Sequence, residues 1–352
     1  MLSRFGMQAM LPNLIVQHPW LVESKVDALR TAIAALDAAF GRFWRKQSAF
    51  PKFKNKRGRR SVTTTHVSRG QICFSRRVGV IPFSEHRPLP VGGRKRLTIS
   101  HAPSGRYFAS VLVETEEKPP ELASVSGVIG IDEGLRHFVT LSTGRKIGHG
   151  KHYRANLCRL KREQRRLARK VKGSKRRECQ RVKIARLHEK ISNSRLYEIH
   201  LVSTNLVRKA VSESQAIAFQ KSAISNQMRN RHLALAIADA GWGELRRQLA
   251  YKCARAGVPL VEIDQWQPTS YPCHRCGVKA QGKTLSNRVW ICAGCGARID
   301  RDVNAARMIA GLAREELRRR EAPHRGVEDD AVRSPCEASS CASSAIRVGA
   351  LK

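Results

Sequence analysis

The 352-residue chain carries 66 Lys plus Arg against 28 Asp plus Glu, a formal net charge of +38, with 41% hydrophobic residues. That apolar content can build cores and excludes a wholly disordered chain, while the self-repulsion calls for a polyanion partner, for which nucleic acid is the default. No apolar run approaches the ~20 residues of a membrane span, and ten cysteines without an opening signal peptide point to a reducing compartment rather than a disulfide framework.

Residues 24–44 place Val26, Leu29, Ile33, Leu36, Phe40 and Phe43 at spacings of three and four, which predicts an amphipathic helix. The following AFPKFKNKRGRR interleaves Lys52, Lys54, Lys56, Arg57, Arg59 and Arg60 with Phe50 and Phe53. Charge for phosphates and flat faces for bases make this a candidate nucleic-acid groove, against the plainer reading of a solvated linker. Residues 61–118 turn β-rich, with a hairpin expected from 95–101 and 107–115 around Ala102-Pro103-Ser104-Gly105. Pro119-Pro120 breaks any strand. Residues 1–118 are therefore read as a mixed helix and β-barrel-like nucleic-acid-binding domain.

The run VSGVIGI at 125–131 is of the buried-strand type and ends in Asp132-Glu133-Gly134, with 138–141 and 146–147 continuing it as a meander. Residues 151–210 read as two antiparallel helices joined at Gly173. Their outer faces carry Arg162, Arg165, Arg166, Arg169, Arg176 and Arg177 among many other cations, and this nearly unopposed charge suits a duplex backbone better than bare solvent. AIAF at 216–219 is another buried strand, with Gln220 at its end. Residues 242–256 form a helix that Gly257 stops, and VPLVEID at 258–264 is the next strand. Cys73, Cys158, Cys179 and Cys253 stand singly and are expected as small buried side chains.

Cys273 and Cys276 form one C-x-x-C pair and, after fifteen intervening residues, Cys292 and Cys295 form another, the spacing of a four-thiolate zinc ribbon over residues 271–296. A closed thiolate site implies structural zinc. Asp300 and Asp302 favour the start of a last helix that runs to about residue 320, and residues 321–352 are polar and aperiodic, expected as a disordered tail.

This order describes an α/β fold with a ribonuclease-H-like domain over 119–270 and 297–320. It contains the basic helical pair 151–210 and the inserted ribbon. In such a fold the first strand's end and the last helix's start converge. Two-metal phosphodiester cleavage needs carboxylates there to hold hard cations, and Asp132 and Asp302 can supply two.

The segments GIDEGL, GWGELRRQLAYK, PTS-x-x-C-x-x-CG and DRDVNAA resemble the TnpB/OrfB transposon-encoded family. HPWL at His18, PKFKNK and the basic helical pair extend the resemblance over residues 18–310. It implies a compact RNA-guided DNA endonuclease with a RuvC-like domain interrupted by a zinc ribbon, and Mg²⁺ at the carboxylates. Guide RNA and double-stranded DNA would be its partners, with no membrane and no small-molecule substrate. The setting would be a prokaryotic cytoplasm, beside the nucleoid. Position by position, Asp132 and Asp302 match the family's first and last acids, and Gln220 stands where the family has Glu. An amide brings no negative charge, so cleavage is expected to be weakened or lost. An alternative keeps it active by relocating the ligand to Asp264 or Glu262, which share one face of the neighbouring strand. The family has further sequence before the HPWL segment, so the first domain is read as truncated. A decayed mobile-element copy is a third reading. A zinc-ribbon transcription factor would explain the cysteines but not the aspartates.

Overall fold

The computed structural model describes residues 3–53, 60–64, 71–75, 79–84, 95–114, 118, 120, 124–280, 287–321 and 344–351. The chain forms two compact units, residues 1–117 with 337–352, and residues 118–336.

The first unit opens with α1 (Arg4–Ala9), α2 (Leu11–Gln17) and α3 (Val26–Trp44), followed by β1 (Arg60–Thr64), β2 (Gln71–Ser75), β3 (Gly79–Pro82), β4 (Lys95–His101) and β5 (Tyr107–Val113). The second contains β6 (Gly127–Glu133), β7 (Val139–Leu141), β8 (Lys146–Ile147), α4 (His152–Ala168), α5 (Lys175–Ser212) and β9 (Gln215–Gln220). It continues through α6 (Ile224–Gln227), α7 (Ala234–Ala240), α8 (Trp242–Ala256), β10 (Leu260–Ile263), β11 (Val289–Ile291), β12 (Arg298–Asp300) and α9 (Arg301–Glu321). A last strand, β13 (Ser344–Leu351), belongs to the first unit.

In the first unit β4 and β5 form the expected hairpin, closed by Gly105 N–H donating to Ala102 O at 3.0 Å. The sheet runs β1-β4-β5-β13 over a core of Leu97, Ile99, Ala109, Val111 and Val113 with Phe83, and β2-β3 is a separate two-stranded ribbon. β13 corrects the reading of residues 321–352 as wholly disordered. It pairs antiparallel with β5, and its sequence alternates Ile346, Val348 and Ala350 with polar or small residues, the period of a strand. On α3, Phe40 stacks on Trp44 at 5.4 Å, and Phe50 meets Phe40 and Phe43 edge-on at 5.6 and 5.3 Å. Phe50 thus packs on the helix, whereas Phe53 is fully exposed.

The second unit is built on a mixed sheet ordered β10-β9-β6-β7-β8, parallel through β10, β9 and β6 and antiparallel beyond. Buried on both faces, β6 and β9 read as unbroken apolar runs. Alternation sends Val128, Ala216, Ala218, Val261 and Ile263 to one face, against Ile309, Ala310 and Ala313 of α9. Ile129, Ile131, Ile217 and Phe219 go to the other, against α5 and α8. α9 lies so close to β6 that a Cβ on Gly130 would sit 2.0 Å from Ala306 O and 2.8 Å from Ala310 N. Only glycine permits that approach.

α4 and α5 form a helical hairpin around Leu160, Ile184, Leu187 and Ile191. Ser174 caps α5 by accepting from Arg177 N–H at 3.2 Å. α5 runs for 38 residues, about 57 Å at the helical rise. Its first half pairs with α4 and its second half supplies Ile199, Val202, Leu206 and Val207 to the sheet's core. Cys253 is buried as expected, but Cys158 and Cys179 are exposed, because both fall on the polar side of the hairpin. No helix among the described residues is long and apolar enough to cross a membrane.

Candidate active site and metal centre

The four ribbon thiols come together, with Cys273, Cys276, Cys292 and Cys295 Sγ all within 4.8 Å of one another. Each C-x-x-C ends in a left-handed glycine, Gly277 at φ +74° and Gly296 at φ +64°. Their N–H groups donate back to Cys273 O and Cys292 O at 2.8 and 2.9 Å. The N–H groups of Cys295 and Gly294 hold the Cys292 thiol low, whereas, against the pull of Val278 N–H, hydrogen bonds among the thiols push that of Cys276 up, so the cluster shares its protons until a metal displaces them. Four soft donors in a closed cluster fit a metal such as zinc.

The ribbon is fastened to the start of α9 by Asn304, which is 1% exposed. Its Nδ2 donates to Pro272 O at 2.7 Å, and its Oδ1 accepts from His274 N–H at 2.9 Å and lies 2.9 Å from His274 Nδ1. An acceptor at Nδ1 means that this nitrogen carries the proton, leaving Nε2 to accept from Arg307 Nη1 at 2.9 Å. Arg307 Nε in turn donates to Ser142 O at 3.2 Å. Asn304 stands two residues beyond Asp302, so the thiol cluster and the acid are tied to one helical turn.

Asp132, near the end of β6, keeps some contact with solvent, yet the protein around it strips away most of its water. Burial, then the charge of Asp302 and then that of Glu133, push its carboxyl up from 3.8 to about 7, against the pull of Arg301 and Arg288. Asp302 itself accepts from Arg288 Nη1 at 3.2 Å and lies 3.5 Å from Arg301 Nε. Two mutually repelling acids held by arginines form the core of this site. A carboxyl whose folded value is raised favours folding fully below its unfolded value and loses that contribution as pH rises through the folded one. Without divalent cations, Asp132→Asn is therefore expected to match the parent near pH 4 and to exceed its urea midpoint at pH 8. Equal offsets at both pH values would contradict the burial of this charge.

The sheet register decides which other side chains join the acids. β6 and β9 pair Gly127 with Gln215 through Ile131 with Phe219, so the next pair is Asp132 beside Gln220, on the α9 face. Gln220 is turned to a different task. Its Nε2 donates to Gln267 O at 2.8 Å and Asp264 O at 3.1 Å, with Gln265 O at 3.4 Å, and its Oε1 accepts from Thr269 Oγ1 at 2.8 Å. Glu262 pairs with Phe219 and so lies on the opposite face, exposed. Asp264, just past β10, accepts from Trp266 N–H at 2.9 Å. Among the described residues, the thiols are the one group of three or more His, Cys, Asp or Glu ligand atoms gathered for a metal.

Several contributors have no local mark in the sequence. Arg246 of α8 donates to Glu133 Oε1 at 2.9 Å, Ser222 Oγ at 2.6 Å and Gln220 O at 3.3 Å, over the Phe219 ring, and so binds the ends of β6 and β9 together. Buried Asp239 accepts from Tyr153 N–H at 2.9 Å and Arg154 N–H at 3.1 Å, capping α4 from another element.

On the hairpin, Arg162, Arg165, Arg166, Arg169 and Arg176 are exposed, and Arg166 pairs with Glu163 at 2.9 Å. Arg177 is instead drawn inward, its Nη1 donating to Leu167 O at 2.9 Å and Lys170 O at 2.8 Å. That nitrogen serves the carbonyls at the end of α4 and in the turn after it. Lys52 is exposed, while Lys54, Lys56 and Arg57 lie outside the described residues.

Residues 110–216 match the OrfB_IS605 family model, described as "Probable transposase", and residues 242–309 match the model "Cas12f1-like, TNB domain". A Streptomyces pristinaespiralis protein named "Putative RNA-guided DNA endonuclease" is 40% identical over 84% of this chain and 73% of its own. "Putative RNA-guided DNA endonuclease InsQ" of Escherichia coli is 32% identical over 82% of this chain and 75% of its own. The solved "Cas12f1-sgRNA-target DNA complex" aligns with a TM-score of 0.41 at 12% identity, over 89% of this chain and 86% of that one. With such identity spread over most of both partners' lengths, the chain belongs to the TnpB/OrfB family of transposon-encoded proteins.

Proposed function

We propose that this chain is an RNA-guided DNA-binding protein whose nuclease activity is weakened or lost. The observation that carries the reading is Gln220, whose carboxamide is committed to three carbonyls and Thr269 at the position beside Asp132. In a RuvC-like arrangement, Asp132 and Asp302 would hold one Mg²⁺, which when bound would stabilise charge on the scissile phosphate. A second cation lacks its carboxylate, and each metal supplies several kcal/mol of transition-state stabilisation, so cleavage falls by orders of magnitude. The sheet register weighs against a ligand relocated to Glu262, which faces away from Asp132. The exposed arginines of α4 and α5 suit the backbones of a guide RNA and a double-stranded DNA target.

The test is to purify the chain with its co-expressed RNA and challenge it with matched and unmatched plasmid in Mg²⁺. The expected result is matched binding that weakens steeply with salt, without cutting. Mg²⁺-dependent cutting that disappears in Asp132→Ala would overturn the reading.

A further inference from the structure

We infer that Gln220 is a strap that holds the lead-in to the thiol ribbon against the end of β9, a task for which its amide nitrogen is required. Residues 264–269 leave β10 and run toward Cys273, and three of their carbonyls, on Asp264, Gln265 and Gln267, converge on one side chain. Carbonyls only accept, so the group facing them has to be a donor, and this fixes the amide with nitrogen toward the loop and oxygen toward Thr269. Thr269, 5% exposed, is thereby satisfied as well. The backbone joins in, with Lys221 N–H donating to Ile263 O at 2.8 Å and Gln267 N–H to Asp264 O at 3.2 Å.

A carboxylate in this place would set its oxygens 2.8 to 3.4 Å from three carbonyl oxygens. It would have to leave the loop, and the loop would come away with it. Gln220 and Asn304 together pin the ribbon from both sides, one beside Asp132 and the other two residues past Asp302. The inference deepens the proposed function, in that position 220 has exchanged a cation ligand for a mechanical contact.

Trp266, 82% exposed, reports on the loop. In the full chain, chymotrypsin cleavage after Trp266, followed by mass spectrometry, is expected to run about tenfold faster in Gln220→Ala and Gln220→Glu, the effect of one or two lost hydrogen bonds. Thr269→Val, which removes one contact, should accelerate it about threefold. Mg²⁺ should leave the rate in Gln220→Glu unchanged. Parental rates in all three variants would overturn the strap. So would Mg²⁺ that restores the parental rate in Gln220→Glu while matched DNA begins to be cut, since that is the behaviour of a lost ligand. Cutting by the parent would remove the proposed function but not the strap, which the Trp266 rates judge separately.

Discussion

Gly130→Ala is expected to destabilise the sheet-and-helix unit by about 3 kcal/mol, the upper range for overpacking a core. The added methyl would sit 2.0 Å from Ala306 O and 2.8 Å from Ala310 N. Both are backbone atoms of α9, so no rotamer change can relieve the clash. The helix has to move, and its first turn carries Asp302. Gly148→Ala is the control, since nothing lies within 4 Å of a Cβ there. Urea midpoints measure the loss, and the upward push on the Asp132 carboxyl should relax in the same variant as Asp302 recedes. Trimming Ala310 to glycine removes only the side-chain contact at 3.0 Å, so Gly130→Ala/Ala310→Gly should remain unstable. Full recovery in the double variant would refute the backbone clash.

Cys292→Ser is expected to abolish high-affinity metal binding and to unfold the ribbon while the sheet survives. The ribbon's own core comprises Cys273, Trp290, Cys292 and Ile299, too little apolar surface to hold a fold without a cross-link. A structural zinc contributes ~10 kcal/mol or more to such a module. Losing one thiolate from a closed set of four leaves a site that water enters. Zinc content should fall from one per chain to near zero, with new protease cuts confined to residues 271–300. Retention of one zinc with a parental digest would sink the assignment of these thiols as the metal's ligands.

The parts of this fold that could be read in advance are those written locally. α8 spans residues 242–256 as expected because Gly241 and Gly257 punctuate an amphipathic run, and the thiol cluster follows from spacing alone. The short helices α1, α2 and α7 have too few turns for periodicity to register. The candidate acids Asp132 and Asp302 could be named from the sequence, but not the geometry around them. Gln220 stood out only against the family's Glu, and its partners lie 44 to 49 residues away, where no local pattern announces them. Glu262 and Asp264 were expected to share a face, but β10 ends at Ile263 and Asp264 lies beyond it. Which face Glu262 takes follows only from its pairing with Phe219, and parallel register is not written in either strand alone. Arg177 was one cation among many until α4's end was placed beside it.

α5 passes without interruption from the basic hairpin into the wall of the sheet. At its root, Lys252 Nζ donates to Ser203 Oγ at 2.6 Å and Thr204 Oγ1 at 2.8 Å, and Ser203 Oγ donates to Gln248 Oε1 at 2.8 Å, clamping it to α8. A continuous rod clamped at one end is a lever. Arg176 of the basic hairpin and the clamp to α8 therefore stand on one unbroken helix. α8 also carries Arg246, which grips Glu133 and Gln220 O, so the basic hairpin and the strand ends that frame Asp132 are joined through a single pair of helices.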